Sequence, residues 1–181
     1  MFLKEIIFVL SFVCILLNNI NAQSKFCLRL ADSSISLTKQ IVQYDPTYYK
    51  IPYPNGDVPS NKGVCTDVII RSYRKLGIDL QKEVHLDMTA HFDQYPKNWG
   101  MKSTDKNIDH RRVPNLMVFF KRFGIVKKIT QNPSDYLPGD IVCWSLGRGI
   151  THIGLISNKK ANNGNSYLVL HNIGSGQVLE D

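Results

Sequence analysis

The chain has 181 residues, 43% of them hydrophobic and 20% charged, with a formal net charge of +7. That length fits one domain with a core of its own, and the composition is that of a globular protein, not a disordered or fibrous one. The cations are scattered, with no block of them interleaved with aromatics, so no nucleic-acid partner is expected. A basic surface suits an anionic polymer such as a cell wall, or is simply solvated.

Met1 to Lys4 is a short charged start, Ile6 to Leu17 is almost wholly apolar, and Asn18-Asn19-Ile20-Asn21-Ala22 is polar and ends on a small residue. This is the outline of a secretory signal peptide over residues 1–22, with cleavage after Ala22; the bulk of Ile20 leaves an uncleaved anchor as the alternative. The apolar stretch falls short of the ~20 residues a membrane span needs. Export to the periplasm or the medium is therefore expected, with a single domain over 23–181, no membrane span once the leader is gone, and a monomer. Of the 4 cysteines, Cys14 lies in the leader. Cys27, Cys65 and Cys143 remain, and an odd count leaves at least one free thiol. Cys27 and Cys143 either pair or pack; Cys143, in an apolar run, is expected in the core.

Phe26 to Val42 reads as an amphipathic helix ended by Tyr44-Asp45-Pro46. Tyr48 to Lys62, with Pro52, Pro54, Gly56 and Pro59, reads as an ordered loop whose tyrosines, Tyr53 among them, either line a groove or anchor the loop. Next comes Gly63-Val64-Cys65-Thr66-Asp67-Val68-Ile69-Ile70, a small-residue turn, a cysteine and a helix. Ile69, Tyr73 and Leu76 form one apolar stripe, Arg71, Arg74 and Lys75 point elsewhere, and Gly77 is the stop. Leu80 to Phe92 reads as a short helix, and Asp109 is placed to cap another through Leu116, Phe119 and Phe120 to Gly124. Strands are expected over Ile125–Thr130, Ile141–Trp144, Thr151–Ser157 and Tyr167–Leu170, with a hairpin turn over Lys159–Asn165. Helices first and strands later argue for an α+β fold, N-terminal helices packed on an antiparallel sheet.

A cysteine in the first turn of a helix sits at the positive end of the backbone dipole, which favours the nucleophilic thiolate. A lone cysteine is more often a buried, inert packing residue. Two histidines change the balance. His152 lies on the strand before the Asn- and Gly-rich turn, and His171 ends the strand after it. If the strands pair, His152 is placed to accept the proton of Cys65 and His171 to orient His152, the nucleophile–base–orienter logic of acyl transfer.

The order of helix-start cysteine, Gly-Asp before a strand, histidine on a strand and a polar residue on the next resembles the NlpC-type branch of the papain-like cysteine peptidases. More closely, the chain resembles a bacterial family known as domain of unknown function 1287. The matching stretches are Tyr53 to Pro59, Gly63 to Val68, Asn107 to Asn115, Pro138 to Val142, His152-Ile153-Gly154 and His171-Asn172-Ile173-Gly174. The resemblance implies a papain-like fold, with Cys65 as nucleophile, His152 as base and His171 as third polar residue. NlpC-type enzymes cleave amide bonds in bacterial peptidoglycan peptides, which makes peptidoglycan stem peptides, or another peptide, the implied substrate. In those enzymes the nucleophile follows Asp and precedes Ser-Gly; here Val64 precedes it and Thr66-Asp67 follow. Members of family 1287 usually run on for another strand or so, so the resemblance implies a short or an incomplete member.

Asp67 either caps the first turn of its helix or faces the cleft and binds a substrate nitrogen. Arg111, within His110-Arg111-Arg112, either contacts a substrate carboxylate or belongs to a helix-start cluster fixed by Asp109. Tyr53 and Asn172 complete the candidate substrate contacts. His85, Asp87 and His91 have metal-ligand types at loose spacing, with no tight signature, so neither a metal nor another cofactor is expected. The expected function is a secreted cysteine hydrolase. A non-catalytic wall-binding module of the same fold and a cysteine-dependent acyltransferase are the alternatives.

Overall fold

The computed structural model describes residues 24–181; the expected leader, 1–22, lies outside them. The fold is mixed α+β, four helices and a four-stranded antiparallel sheet among the described residues. Helix α1 covers 24–35 and tightens into a 3-10 turn at Ser36–Lys39. The single long helix expected to Val42 is cut short by hydroxyls. Ser33, Ser34, Ser36 and Thr38 each donate to the carbonyl three residues back, at 2.6 to 2.8 Å. Side chains that bond their own backbone compete with the helix and favour the tighter turn. The freed chain becomes β1 (Gln43–Tyr44), which pairs in parallel with β2 (Lys62–Gly63), the strand leading to Cys65.

Helix α2 (Cys65–Arg74) is the centre of the molecule. Ile69 and Ile70 are buried in the main core with Leu30, Val84, Leu116, Ile153 and Leu155, while Tyr73 and Leu76 pack on its margin. Arg71 points away from that apolar stripe without reaching solvent. It is buried, holds Asp57 at 3.1 Å, and donates to the carbonyl of Lys62 at 2.9 Å. Arg74 holds the same Asp57 at 2.7 Å, so two arginines pin the proline-rich loop onto α2. Gly77 ends the helix at φ +82°, with Ile78 N donating to Tyr73 O and Gly77 N to Arg74 O. A left-handed residue here suits glycine, which carries no Cβ.

Helix α3 (Leu80–Ala90) is capped by Asp79, whose side chain accepts from Gln81 N and Lys82 N. Helix α4 (Val113–Phe123) begins after Arg112, with Pro114 in its first turn. Asp109 is therefore not its cap. It lies in the preceding 3-10 turn, Asp109–Arg111, and its carboxylate accepts from Asp105 N at 2.6 Å. Four strands then form a meander in the order β3 (Ile141–Gly147), β4 (Ile150–Lys160), β5 (Tyr167–His171) and β6 (Val178–Glu180), each antiparallel to the next. Helix α2 packs on β4.

The strand expected over Ile125–Thr130 does not form. No partner strand reaches it among the described residues, and Ile125, Val126 and Ile129 are 72%, 68% and 85% exposed. β-branched residues favour a strand only where a neighbouring backbone completes the ladder. Cys143 is exposed on β3, not in the core, and Cys27, Cys65 and Cys143 are all free thiols. Among the described residues no helix is long and apolar enough to cross a membrane.

Candidate active site

The head of α2 holds Cys65, 7% exposed, with Val64 as N-cap. Asp67 reaches back, its carboxylate accepting the Val64 N–H at 2.7 Å. The same carboxylate receives Arg111 through Nε at 2.9 Å and Nη2 at 3.0 Å, both side chains being nearly inaccessible. Arg111 also donates to the Thr47 carbonyl at 3.2 Å, and Thr66 donates its hydroxyl to the carbonyl of Arg111. A bidentate guanidinium–carboxylate pair thus ties the helix head to the chain before α4. Asp67 and Arg111 meet each other here, with the oxygens of Asp67 taken up by Val64 and Arg111.

The sheet brings the two histidines together. His152 on β4 and His171 on β5 are buried at 3% and 5% exposure, and Nε2 of His152 lies 3.1 Å from Nδ1 of His171. Nε2 of His171 lies 3.1 Å from the Glu180 carboxylate on β6. Trp144, directly opposite His152 in the β3–β4 register, sets its ring edge-on to both imidazoles, with centroids 4.6 and 5.6 Å away. Glu180 and Trp144 escaped the sequence reading. The readable signal for Trp144 was its place in the strand before His152; for Glu180 it was the glycine-rich turn after His171, which returns the chain alongside β5.

Helix α2 lies on β4, which puts Cys65 in one core cluster with Ile153, the residue after His152. Backbone amides of Ile153 and Thr66 lie near enough to the Cys65 sulfur to favour its charged form. Those contacts favour the thiolate, but burial outweighs them and pushes the Cys65 thiol up. The expected low-pKa thiolate at a helix start is corrected accordingly: the dipole is present, yet the sulfur is too far from water for the charge to be favoured. His152 moves the opposite way, down to about 4, through burial first and the neighbouring His171 second. Both shifts favour the uncharged form, thiol at Cys65 and neutral imidazole at His152.

Asn172, fully buried, donates to the Gly63 carbonyl at 3.3 Å and accepts from Gly174 N, locking the end of β5 to the turn before Cys65. Tyr53 lies elsewhere, its ring 5.2 Å from that of His85 and edge-on to it. A cleft of about 330 Å³ opens beside the thiol, lined by Tyr44, Cys65, Trp99, Arg112, Ile150 and Thr151 among others. Arg112 lies over the Trp99 ring at 4.4 Å. Gly154 explains the His152-Ile153-Gly154 stretch: a Cβ there would sit 2.6 Å from Val169 Cγ1 and 3.2 Å from the Trp144 ring. Among the described residues no group of three or more His, Cys, Asp or Glu side chains is placed to hold a metal.

An uncharacterized protein of Escherichia coli (strain K12), YijF, is 46% identical over 162 residues, spanning 90% of this chain and 78% of the relative. No solved structure is significantly similar to the chain. The profile of a family described as a domain of unknown function matches residues 31–181, which take in the helix-start cysteine, both histidines and Glu180, and the chain belongs to that family, DUF1287.

Proposed function

We propose that the protein is an exported cysteine hydrolase of the papain-like, NlpC-type kind that cleaves amide bonds, with peptidoglycan stem peptides as substrate. One observation carries the reading: Cys65 heads a helix beside an open cleft and shares a core cluster with Ile153, the residue after His152, whose Nε2 lies 3.1 Å from Nδ1 of His171. In this reading the Cys65 sulfur attacks the amide carbonyl as its proton passes to His152. Amide N–H groups at the head of α2 stabilise the oxyanion, each donor contributing about 3 kcal/mol in comparable sites. The protonated His152 then gives its proton to the leaving amine. Water, deprotonated by His152, hydrolyses the thioacyl-enzyme. The leader-like residues 1–22 and the net charge of +7 support this reading, since an anionic wall polymer lies outside the cytoplasm and attracts a basic surface.

The test is digestion of purified peptidoglycan by the wild type and by Cys65→Ala, with released fragments read by mass spectrometry. Fragments from the wild type alone are expected, and their masses name the bond. Fragments from both proteins, or from neither, overturn the reading; products joined to an added amine acceptor would instead identify an acyltransferase.

A further inference from the structure

Glu180 is half exposed at the edge of the sheet, outside the cleft lining, yet its carboxylate ends a line of ring nitrogens that begins at the candidate base. We propose that Glu180 is a positioning residue for this site, one that sets the tautomer of both imidazoles through its hydrogen bond to His171. The inference rests on the cysteine hydrolase reading for its consequence, but not for its geometry.

The logic follows from donors and acceptors alone. An ionised carboxylate can only accept, so the 3.1 Å contact requires a proton on Nε2 of His171. In the proposed arrangement His171 is neutral, and its single N–H on Nε2 leaves Nδ1 as a lone pair. The 3.1 Å contact from that lone pair to Nε2 of His152 then requires the proton of His152 to be on Nε2. His152 holds a single proton near neutrality, because burial and His171 lower its pKa to about 4. Its Nδ1 is left as the basic position not engaged by His171, and in the hydrolase reading that nitrogen is the acceptor for the Cys65 proton. No proton crosses from His152 to Glu180 in this scheme. The carboxylate orients the rings, and the proton moves only between the sulfur, Nδ1 and the leaving amine.

Without Glu180 nothing assigned to Nε2 of His171 prefers it protonated. His171 can then place its proton on Nδ1 and donate to His152, which must move its own proton to Nδ1 and can no longer accept from the thiol. Trp144 holds the planes of both rings, through edge-on contacts to each, but offers neither ring nitrogen a lone pair. Orientation thus belongs to the indole and proton placement to the carboxylate.

The test uses the mature protein with ¹⁵N-labelled histidine. Nitrogen shifts of His152 and His171 are read near neutral pH in Cys65→Ala, and again with Glu180→Ala or Glu180→Gln added. Nε2–H is expected for both rings while Glu180 is present, an Nδ1–H population for His171 in Glu180→Ala, and return to Nε2–H in Glu180→Gln, whose amide oxygen still accepts. An Nδ1–H ring at either position in the first protein, or unchanged tautomers in Glu180→Ala, overturns the proposal. This readout needs no turnover, so it stands or falls apart from the hydrolase reading. On an active Cys65 background, Glu180→Ala is expected to lower kcat on soluble stem peptides about tenfold, the scale of losing a histidine's outer partner. KM should be unchanged and most of kcat restored by Glu180→Gln. A raised KM with unchanged kcat would place Glu180 in binding and overturn the positioning role.

Discussion

Arg111→Met isolates the buried pair that fixes the head of α2. The guanidinium makes two contacts to Asp67, at 2.9 and 3.0 Å, and a third to the Thr47 carbonyl at 3.2 Å. Methionine fills much of the volume but leaves the Asp67 carboxylate, itself 2% exposed, with the Val64 N–H as its remaining partner. Breaking a buried pair by removing one member costs about 3–5 kcal/mol, mostly because the surviving charge has lost both water and its partner. Asp67→Asn keeps an oxygen for Val64 N–H and strands the arginine instead, for a loss of similar order. The double variant Asp67→Asn, Arg111→Met removes both charges, and its loss should fall well below the sum of the two. Urea unfolding, followed by tryptophan fluorescence at neutral pH, measures all four corners of the cycle. A loss under about 1 kcal/mol for Arg111→Met, the range of solvent-exposed pairs, would refute the reasoning. So would simple additivity in the double variant.

Acid should destabilise the fold through its histidines. Burial holds His110 down to about 3 and His152 down to about 4, against an ordinary 6.5. Between 6.5 and those values the unfolded chain binds protons that the folded chain does not. Their contribution is whole above 6.5 and is lost as pH falls, at up to about 1.4 kcal/mol per pH unit for each histidine. A urea midpoint that is flat or rising from pH 7 to pH 5 would contradict this. Iodoacetamide should label Cys65 in the folded, substrate-free protein more slowly than an unhindered thiol at pH 7, because burial raises its pKa; mass-spectrometric labelling at or above the free-thiol rate would show the sulfur to be ionised. Gly154→Ala should cost about 1–3 kcal/mol by overpacking, since its Cβ meets Val169 at 2.6 Å. An unchanged melting temperature would mean that β5 and Trp144 yield without cost.

Local pattern carried a good part of this molecule. The stripe of Ile69, Tyr73 and Leu76, the stop at Gly77 and the turn after Lys159 are decided within a few residues, because helix periodicity and left-handed turns depend on near neighbours. The strands bearing His152 and His171 and the helix headed by Cys65 were legible for the same reason, and with them three residues of the candidate site. Tertiary structure decided what depends on distant partners. Asp67 has its arginine 44 positions away, the Asn172 amide reaches a carbonyl 109 positions back, and Trp144 meets both histidines only once β3 and β4 are in register. The ionisation of Cys65 belongs here too. Its place at a helix start could be read from neighbours, but its burial under β4 could not, and burial prevails because removing a charge from water outweighs a few nearby amides. Ile125 to Thr130 shows the converse: strand-forming residues make no strand until another backbone meets their N–H and C=O groups, and sequence alone does not say whether one will.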